Sequence, residues 1–280
     1  MKFLVPVDFS VGSENATRYA VALAKASGAS LMFLHVVNPP FDENTFLAFD
    51  PGAVSDEAMA KLQEWTAGIC EGSGVAYECK VRTGEVSAEI QHLADLINAD
   101  FVIMGTHGAS GIQKLLYGSK TAEVIEKAFC PVLAIPLSAD FSPYRKIVYA
   151  TDYQSSDIQA LNKLSQLAEV FGAEIDVVHI SEEHESRATE LSIVSYFEDL
   201  IRENISYPNI SCRVFRHDNI GKGIERFTNS VGGDMVALAM RKLGFLSKLF
   251  RSSLTKEFVT RSSVPIMAFH VLQTAEAGDF

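Results

Sequence analysis

The sequence predicts an α/β fold that occurs twice along the chain, each time as a parallel sheet with helices on both faces. Three observations lead to this prediction. Short apolar runs alternate with segments whose apolar residues recur at helical spacing, which is the pattern of strand–helix–strand units. The pattern of the first half recurs in the second half. In the first half, one strand also leads through a glycine-rich segment into a helix.

The elements of the first copy follow from local patterns. Its first strand, Phe3–Val7, is apolar throughout, as expected of a strand that is buried on both faces. The first helix, Ser13–Ser27, has apolar residues at helical spacing and is followed by Gly28, a residue type that commonly ends helices. The same criteria predict the strands Leu31–Val37, Ala76–Arg82, Phe101–Met104 and Val132–Ile135, and the helices Asp56–Gly72, Val86–Ile97 and Ser119–Ala128.

Two alignments define the repeat. FLVPVDFS at 3–10 aligns with IVYATDYQ at 147–154, so Asp8 corresponds to Asp152 at an offset of 144 residues. Later the offset falls to 134, where CPVLAIP at 130–136 aligns with VPIMAFH at 264–270. The second copy has therefore lost ten residues, which we assign to the segment after its second strand. This duplication predicts two domains, 1–138 and 144–272.

Composition excludes several classes of protein. The 280-residue chain is 48% hydrophobic and 21% charged, which is typical of a globular protein and not of a disordered one. A net charge of −11 argues against a nucleic-acid binder, because such proteins normally present a basic surface. No apolar run reaches the ~20 residues of a membrane span, and no signal-peptide core follows the N-terminus, so a cytoplasmic location is expected. The four scattered cysteines are expected to be reduced.

The segment after the predicted strand Phe101–Met104 contains the residues that indicate a binding site. It reads GTHGASGIQKLLYGSKT from 105 to 121, with Gly105, Gly108 and Gly118 spaced as G-x2-G-x9-G. Glycines allow the backbone to turn tightly and to approach a ligand closely. Gly118 and Ser119 come at the start of the next helix, where free backbone N–H groups and the helix dipole attract an anion such as a phosphate. The order G-S-K-T differs from a Walker A loop.

On these residues the chain resembles a tandem universal stress protein. The matching stretches are PVDFS at 6–10, HVVNP at 35–39, MGTHG at 104–108, GS at 118–119 and CPVLAIP at 130–136. The G-x2-G-x9-G pattern followed by Ser or Thr marks the ATP-binding branch of that family. The resemblance implies two flavodoxin-like domains, each a five-stranded parallel sheet of order 3-2-1-4-5. It also implies that ATP lies across the carboxyl ends of strands 1 and 4 in the first copy.

The resemblance further assigns a nucleotide-binding set. Asp8 and the backbone of Val37 would contact the adenine, Met104 and Gly105 would line the path of the ribose and phosphates, and residues 118–121 would hold the phosphates. The full set is Pro6, Val7, Asp8, Val37, Met104, Gly105, His107, Gly108, Gly118, Ser119, Lys120 and Thr121. A magnesium ion would accompany the phosphates, held mostly by them and by water. The resemblance assigns no catalytic residue and no metal ligand from the protein.

Several of these residues have a second interpretation. Asp8 follows a strand and could instead cap the next helix. His107 lies in a glycine-rich loop with little core to fill and is expected to contact the ligand. His35 and His179 lie within predicted strands and are expected to be core residues with satisfied hydrogen bonds. Lys120 follows Ser119 in the first helical turn, where it either is solvated or reaches a phosphate.

The second copy lacks the glycine motif. At the offset of 134, the positions of the first-copy glycines hold Ala239, Lys242, Phe245 and Ser252. The second copy is therefore not expected to bind ATP in the same way. Its segment 241–261 is rich in basic and apolar residues. This segment is either a patch for an anionic ligand or an acidic partner, or a solvated loop.

The leading hypothesis for function is a nucleotide-dependent regulatory protein of the stress response that binds ATP in the first copy only. One alternative is a nucleotide-hydrolysing or adenylyl-transferring enzyme of the same architecture, for which His107 is the candidate group. Another is an interaction protein that binds no nucleotide. Segment 38–56 is either a lid over the ligand or a plain surface loop. The resemblance implies that the last strands of the two copies pair within the chain, and a homodimer is a further hypothesis.

Overall fold

The computed structural model describes residues 1–38, 51–106, 119–181, 186–240 and 262–270. The chain divides into two compact units, Met1–Pro143 and Tyr144–Phe280. In each unit, strands and helices alternate along the chain and the strands form a parallel sheet. The predicted fold class and its duplication are therefore confirmed.

The first unit has its strands in the predicted order. Its strands are β1 (Lys2–Pro6), β2 (Ser30–Val37), β3 (Tyr77–Thr83), β4 (Phe101–Gly105) and β5 (Val132–Ile135). Its helices, within the described residues, are α1 (Val11–Ser27), α2 (Pro51–Cys70), α3 (Val86–Leu96) and α4 (Ser119–Lys127). The order β3-β2-β1-β4-β5, with parallel pairing throughout, is the order 3-2-1-4-5 that the family resemblance implies.

The second unit repeats this topology. Its strands are β6 (Lys146–Ala150), β7 (Glu174–Ser181), β8 (Ile210–Arg216), β9 (Met235–Met240) and β10 (Ile266–His270). Its helices in the described part of the chain are α5 (Asp157–Phe171), α6 (Arg187–Asn204) and α7 (Ile220–Val231). The order is β8-β7-β6-β9-β10. Residues 182–186 separate β7 from α6, whereas 38–50 separate β2 from α2, so the second unit is shorter where the alignment predicts the loss.

The central strand and the first helix show why the local sequence forms these elements. In β1, Phe3, Leu4 and Val5 are completely buried, as a strand must be when helices cover both faces of its sheet. Helix α1 begins where the Ser10 side chain accepts a hydrogen bond from a backbone N–H of the first turn. It ends at Gly28, which has φ 68°, a left-handed conformation that glycine adopts without a steric penalty.

Helix α2 begins earlier than the sequence predicts. The expected start was Asp56, whereas the helix begins at Pro51. Proline suits the first helical position, because its missing N–H has no helical partner there and its ring presets φ for a helix. Residues 39–50 of segment 38–56, predicted as either a lid or a surface loop, lie outside the described residues. Among the helices that the structure describes, α2 included, none combines the length and the apolar character that crossing a bilayer requires.

The duplication extends to side-chain hydrogen bonds. In the first unit, His35 Nδ1 donates to the Val7 carbonyl at 2.7 Å. In the second unit, His179 Nδ1 donates to the Thr151 carbonyl at 3.0 Å. Both pairs are related by the offset of 144 residues that the sequence predicts. Each histidine ties the second strand of its unit to the end of the first strand. The predicted hydrogen bonds are therefore present, but both histidines are half-buried and not core residues as predicted.

Candidate functional site

The candidate site lies where the strand order of the first unit reverses. From β1 the chain continues outward to β2 and β3, and from β4 it continues to β5 on the other side. Strands β1 and β4 are direct parallel neighbours. In open parallel sheets, ligands bind at such a reversal, outside the carboxyl ends of the strands. β1 ends at Pro6 and β4 ends at Gly105, so Asp8, which follows β1, and Gly105 both lie at this edge.

Asp8 presents an oriented carboxylate at this edge. It is exposed, and its Oδ1 accepts hydrogen bonds from the Ser10 backbone N–H at 3.0 Å and from the Ser10 hydroxyl at 2.6 Å. The Asp8 backbone N–H donates to Ser13 Oγ at 3.3 Å. The cap of α1 is Ser10, whose Oγ accepts from the Ser13 backbone N–H at 3.1 Å. Asp8 therefore supports the helix cap through Ser10 and is not the cap itself.

The backbones of Val7 and Val37 make hydrogen bonds within the protein. The Val7 N–H donates to the Leu34 carbonyl at 2.8 Å, and its carbonyl is the group that His35 contacts. The Val37 carbonyl accepts from the Gly84 N–H at 3.0 Å. Val37 is expected to contact adenine through its backbone, and its carbonyl is thus already hydrogen-bonded to Gly84, which follows β3.

An aromatic cluster that the sequence did not reveal adjoins Asp8. Phe9 has φ 60°, a strained left-handed conformation for a bulky residue that packing must hold in place. Its ring lies 4.7 Å from the His35 ring and 5.7 Å, edge to face, from Trp65. The Lys61 ammonium lies 4.2 Å from the centre of the Phe9 ring. Trp65 is the only tryptophan of the chain, so its fluorescence can report on this edge.

Gly105 brings the end of β4 into contact with the start of α1. A Cβ atom at Gly105 would lie 2.4 Å from the Gly12 carbonyl oxygen, closer than atoms can approach. The Thr121 hydroxyl donates to the Gly105 carbonyl at 2.9 Å and is buried. This bond ties the first turn of α4 to the end of β4, and Met104 beside it is buried in the sheet. Gly12 precedes the predicted helix Ser13–Ser27, and its contact with β4 could not be read from the local sequence.

Lys120 is held by two carboxylates. Its Nζ lies 2.6 Å from Glu85 Oε1 and 3.2 Å from Glu123 Oε2. The hydrogen bond from Lys120, reinforced by one from the Ser87 hydroxyl, lowers the pKa of Glu85 from 4.5 to about 2. The same ion pairing raises the pKa of Lys120. The predicted phosphate contact of Lys120 thus competes with these two side chains. Glu85 directly precedes a predicted helix, but its partner could not be read from the sequence.

Several predicted residues lie outside the described residues. These are His107, Gly108, Gly118, the side chain of Ser119 and the basic segment 241–261. The backbone of Ser119 is described and begins α4. Over the ranges that the structure describes, no group of three or more His, Cys, Asp or Glu side chains is arranged to hold a metal ion.

The equivalent edge of the second unit is built differently. Ser181 is the last residue of β7 and corresponds to Val37, the last residue of β2. It lies opposite Arg216 of β8 in the sheet, as Val37 lies opposite Thr83 of β3. The buried Ser181 hydroxyl donates a short hydrogen bond to Glu190 Oε1. One Arg216 nitrogen lies 3.1 Å and 3.0 Å from the two Glu190 oxygens. These bonds lower the pKa of Glu190, the Ser181 hydroxyl contributing most. An ion pair between the buried Glu190 and the exposed Arg216 thus occupies this edge.

Replacing Arg216 with alanine should destabilise the second unit by about 1 kcal/mol, because the Glu190 side chain, only 8% exposed, would lose its countercharge while it keeps the Ser181 hydrogen bond. The pKa of Glu190 is lower in the folded protein than the 4.5 of a free side chain. Its contribution to stability is therefore complete above pH 4.5 and is lost as the pH falls below it. The difference between wild type and variant in urea unfolding, followed by circular dichroism, should shrink at acidic pH.

The control is Arg202→Ala, which removes an exposed ion pair with Asp199 and should change stability by less than about 0.5 kcal/mol. An equal effect of both arginine variants, or a difference that does not change with pH, would contradict the assigned role of Arg216.

Comparison with known proteins agrees with this architecture. The model of the universal stress protein family matches residues 1–136 and again residues 143–270. A universal stress protein of Synechocystis is 34% identical over 135 residues, which are 48% of this chain and 83% of that protein. One of Methanocaldococcus jannaschii is 31% identical over 142 residues, covering 48% and 81%. The crystal structure of a universal stress protein from Archaeoglobus fulgidus has a TM-score of 0.73 at 22% identity and covers 97% of both chains.

That structural likeness concerns the fold alone, since the identity is low. The two family matches correspond to the two units, and each unit has the same strand order. The chain therefore belongs to the universal stress protein family, with two copies of the family's domain in tandem.

Proposed function

We propose that the first unit binds ATP at the carboxyl edge of β1 and β4, and that the protein is a nucleotide-dependent regulator of the stress response. The observation that carries this proposal is that two complementary groups lie at the edge where the strand order reverses between β1 and β4. Asp8 provides an exposed carboxylate there, and α4 begins beside the end of β4. A carboxylate accepts hydrogen bonds from an amino group such as that of adenine, and a helix N-terminus attracts phosphates.

The segment between β4 and α4 supports the same proposal. Residues 105–118 include the glycines of the G-x2-G-x9-G motif. Gly105 already depends on the absence of a side chain, because it packs directly on Gly12. Backbone N–H groups near Gly118 and Ser119 would contact the phosphates. A magnesium ion would neutralise part of the phosphate charge and would be held by phosphate and water oxygens.

The second unit is not proposed to bind ATP. It lacks the glycines, and the Glu190–Arg216 pair occupies the edge where the first unit has Val37 and Thr83. The pairing of the two units through their last strands and a homodimer both stay predictions.

The proposal predicts one ATP site per chain. Calorimetric titration of nucleotide-free protein with ATP and magnesium should give a stoichiometry of one. Asp8→Asn should weaken binding about tenfold, because it removes a charged acceptor while leaving an oxygen for Ser10. The fluorescence of Trp65 should change on binding, since its ring packs on Phe9 beside Asp8.

Asp152→Asn is the matched control, because Asp152 occupies the same position in the second unit. It should leave the affinity and the stoichiometry unchanged. Two sites per chain, or equal losses in both variants, would contradict the assignment to the first unit. An absence of binding to the folded wild-type protein would overturn the proposed function.

A further inference from the structure

The Glu85–Lys120 pair joins the starts of two helices in the first unit. Glu85 directly precedes α3, and Lys120 is the second residue of α4. Both helices follow strands of the parallel sheet, so both begin at its carboxyl edge. The pair therefore lies at the edge where the phosphates are proposed to bind.

Glu85 is fixed in place by its role at the helix start. Its Oε2 accepts from the Ala88 backbone N–H at 2.9 Å and from the Ser87 hydroxyl at 2.6 Å. Its Oε1 accepts from Lys120 Nζ at 2.6 Å. One carboxylate thus caps α3 through one oxygen and holds the Lys120 ammonium through the other. If the Glu85 side chain moved together with Lys120, the hydrogen bonds that cap α3 would break, and the helix would be destabilised.

A second carboxylate completes the neutralisation of Lys120. Glu123 Oε2 lies 3.2 Å from the ammonium, and Glu123 Oε1 also binds Lys127 at 2.8 Å. The four side chains Glu85, Lys120, Glu123 and Lys127 have no net charge together. The positive charge of Lys120 is therefore already balanced at the first turn of α4, where an anion would otherwise recruit it.

We infer that Glu85 is a specificity-determining residue of the nucleotide site. Glu85 holds the Lys120 side chain at the start of α3 and so limits the affinity for highly phosphorylated nucleotides. This inference rests on the proposed ATP site. Phosphate binding then relies on backbone N–H groups, and Lys120 contributes little to it. Glu85 is therefore expected to change the contribution of the phosphates to the binding affinity, and not the contribution of the base.

The test is a double-mutant cycle between Glu85 and Lys120, read by calorimetric titration with ATP, AMP and adenosine. Glu85→Gln keeps an oxygen for the α3 cap but loses the charge. It should tighten ATP binding about three- to fivefold, AMP binding less, and adenosine binding not at all. Lys120→Met alone should change ATP affinity by less than about twofold, and in the Glu85→Gln background it should abolish the gain.

Glu126→Gln is the control, since it makes the same change in net charge at an exposed position of α4. It should leave the ratio of ATP to AMP affinity unchanged. A large loss of ATP affinity in Lys120→Met alone would overturn the inference, because Lys120 would then bind phosphate directly. An unchanged ATP affinity in Glu85→Gln would also overturn it. Both outcomes require that the wild type binds ATP, so they are distinct from failure of the proposed function.

Discussion

Replacing Gly118 with valine should reduce ATP affinity at least about a hundredfold, which corresponds to a loss of about 2.7 kcal/mol of binding free energy. Gly118 immediately precedes α4 in the G-x2-G-x9-G motif. At such a position the backbone N–H groups must come within hydrogen-bond distance of a phosphate. A β-branched side chain would occupy the space in which the phosphate has to lie. Calorimetric titration with ATP and magnesium measures the loss directly.

The matched control is Ser252→Val, at the position of the second copy that aligns with Gly118. It should leave ATP affinity within about twofold of wild type, because the second unit is not proposed to bind the nucleotide. Thermal unfolding establishes that both variants are folded. If Gly118→Val binds ATP like the wild type, the glycine motif is not the phosphate site, and the proposed function loses its basis in sequence.

Replacing Gly105 with alanine should destabilise the first unit by about 3 kcal/mol. The added Cβ would lie 2.4 Å from the carbonyl oxygen and 2.7 Å from the carbonyl carbon of Gly12. Both are backbone atoms of the first turn of α1, so relief requires α1 or β4 to shift. Such a shift would also strain the hydrogen bond from Thr121 to the Gly105 carbonyl. Urea unfolding followed by Trp65 fluorescence measures the first unit, because the chain has no other tryptophan.

Gly68→Ala is the control for this experiment. Gly68 lies within α2, and a Cβ atom there would meet nothing within 4 Å. Alanine should therefore stabilise the first unit by about 0.5–1 kcal/mol, since it restricts the unfolded chain and favours the helix. A cost below about 1 kcal/mol for Gly105→Ala would mean that the two backbones separate easily, and the close contact would then not be a constraint on the site.

Local patterns were sufficient for most of the fold. The apolar run Phe3–Val7 predicted a strand, and its residues 3–5 are completely buried because helices cover both faces of the sheet. Gly28 ends α1 as expected, since a left-handed residue at that position favours glycine. The start of α2 was predicted five residues too late, at Asp56 and not Pro51. A proline can begin a helix as well as belong to a loop, and the sequence does not distinguish the two.

The site was predicted less completely than the fold. The family resemblance, which rests partly on the glycine spacing, predicts it at the ends of β1 and β4, and this placement stays a prediction. The partners of its side chains were not predictable. Thr121 was expected to hold phosphates, but its hydroxyl is buried on the Gly105 carbonyl, 16 residues away in sequence. Lys120 is bound to Glu85, 35 residues away.

The sequence by itself determined the duplicated α/β architecture, the strand order through family resemblance, and the loss of the glycine motif in the second copy. These features depend on local periodicity and on residue types at aligned positions. Only the tertiary structure decided which charges and hydroxyls pair: Thr121 with the Gly105 carbonyl, Lys120 with Glu85, and Glu190 with Arg216. Such pairs form between segments that the fold brings together, and many residues on the surface have the charge to form them. Their choice depends on distances that no local pattern contains.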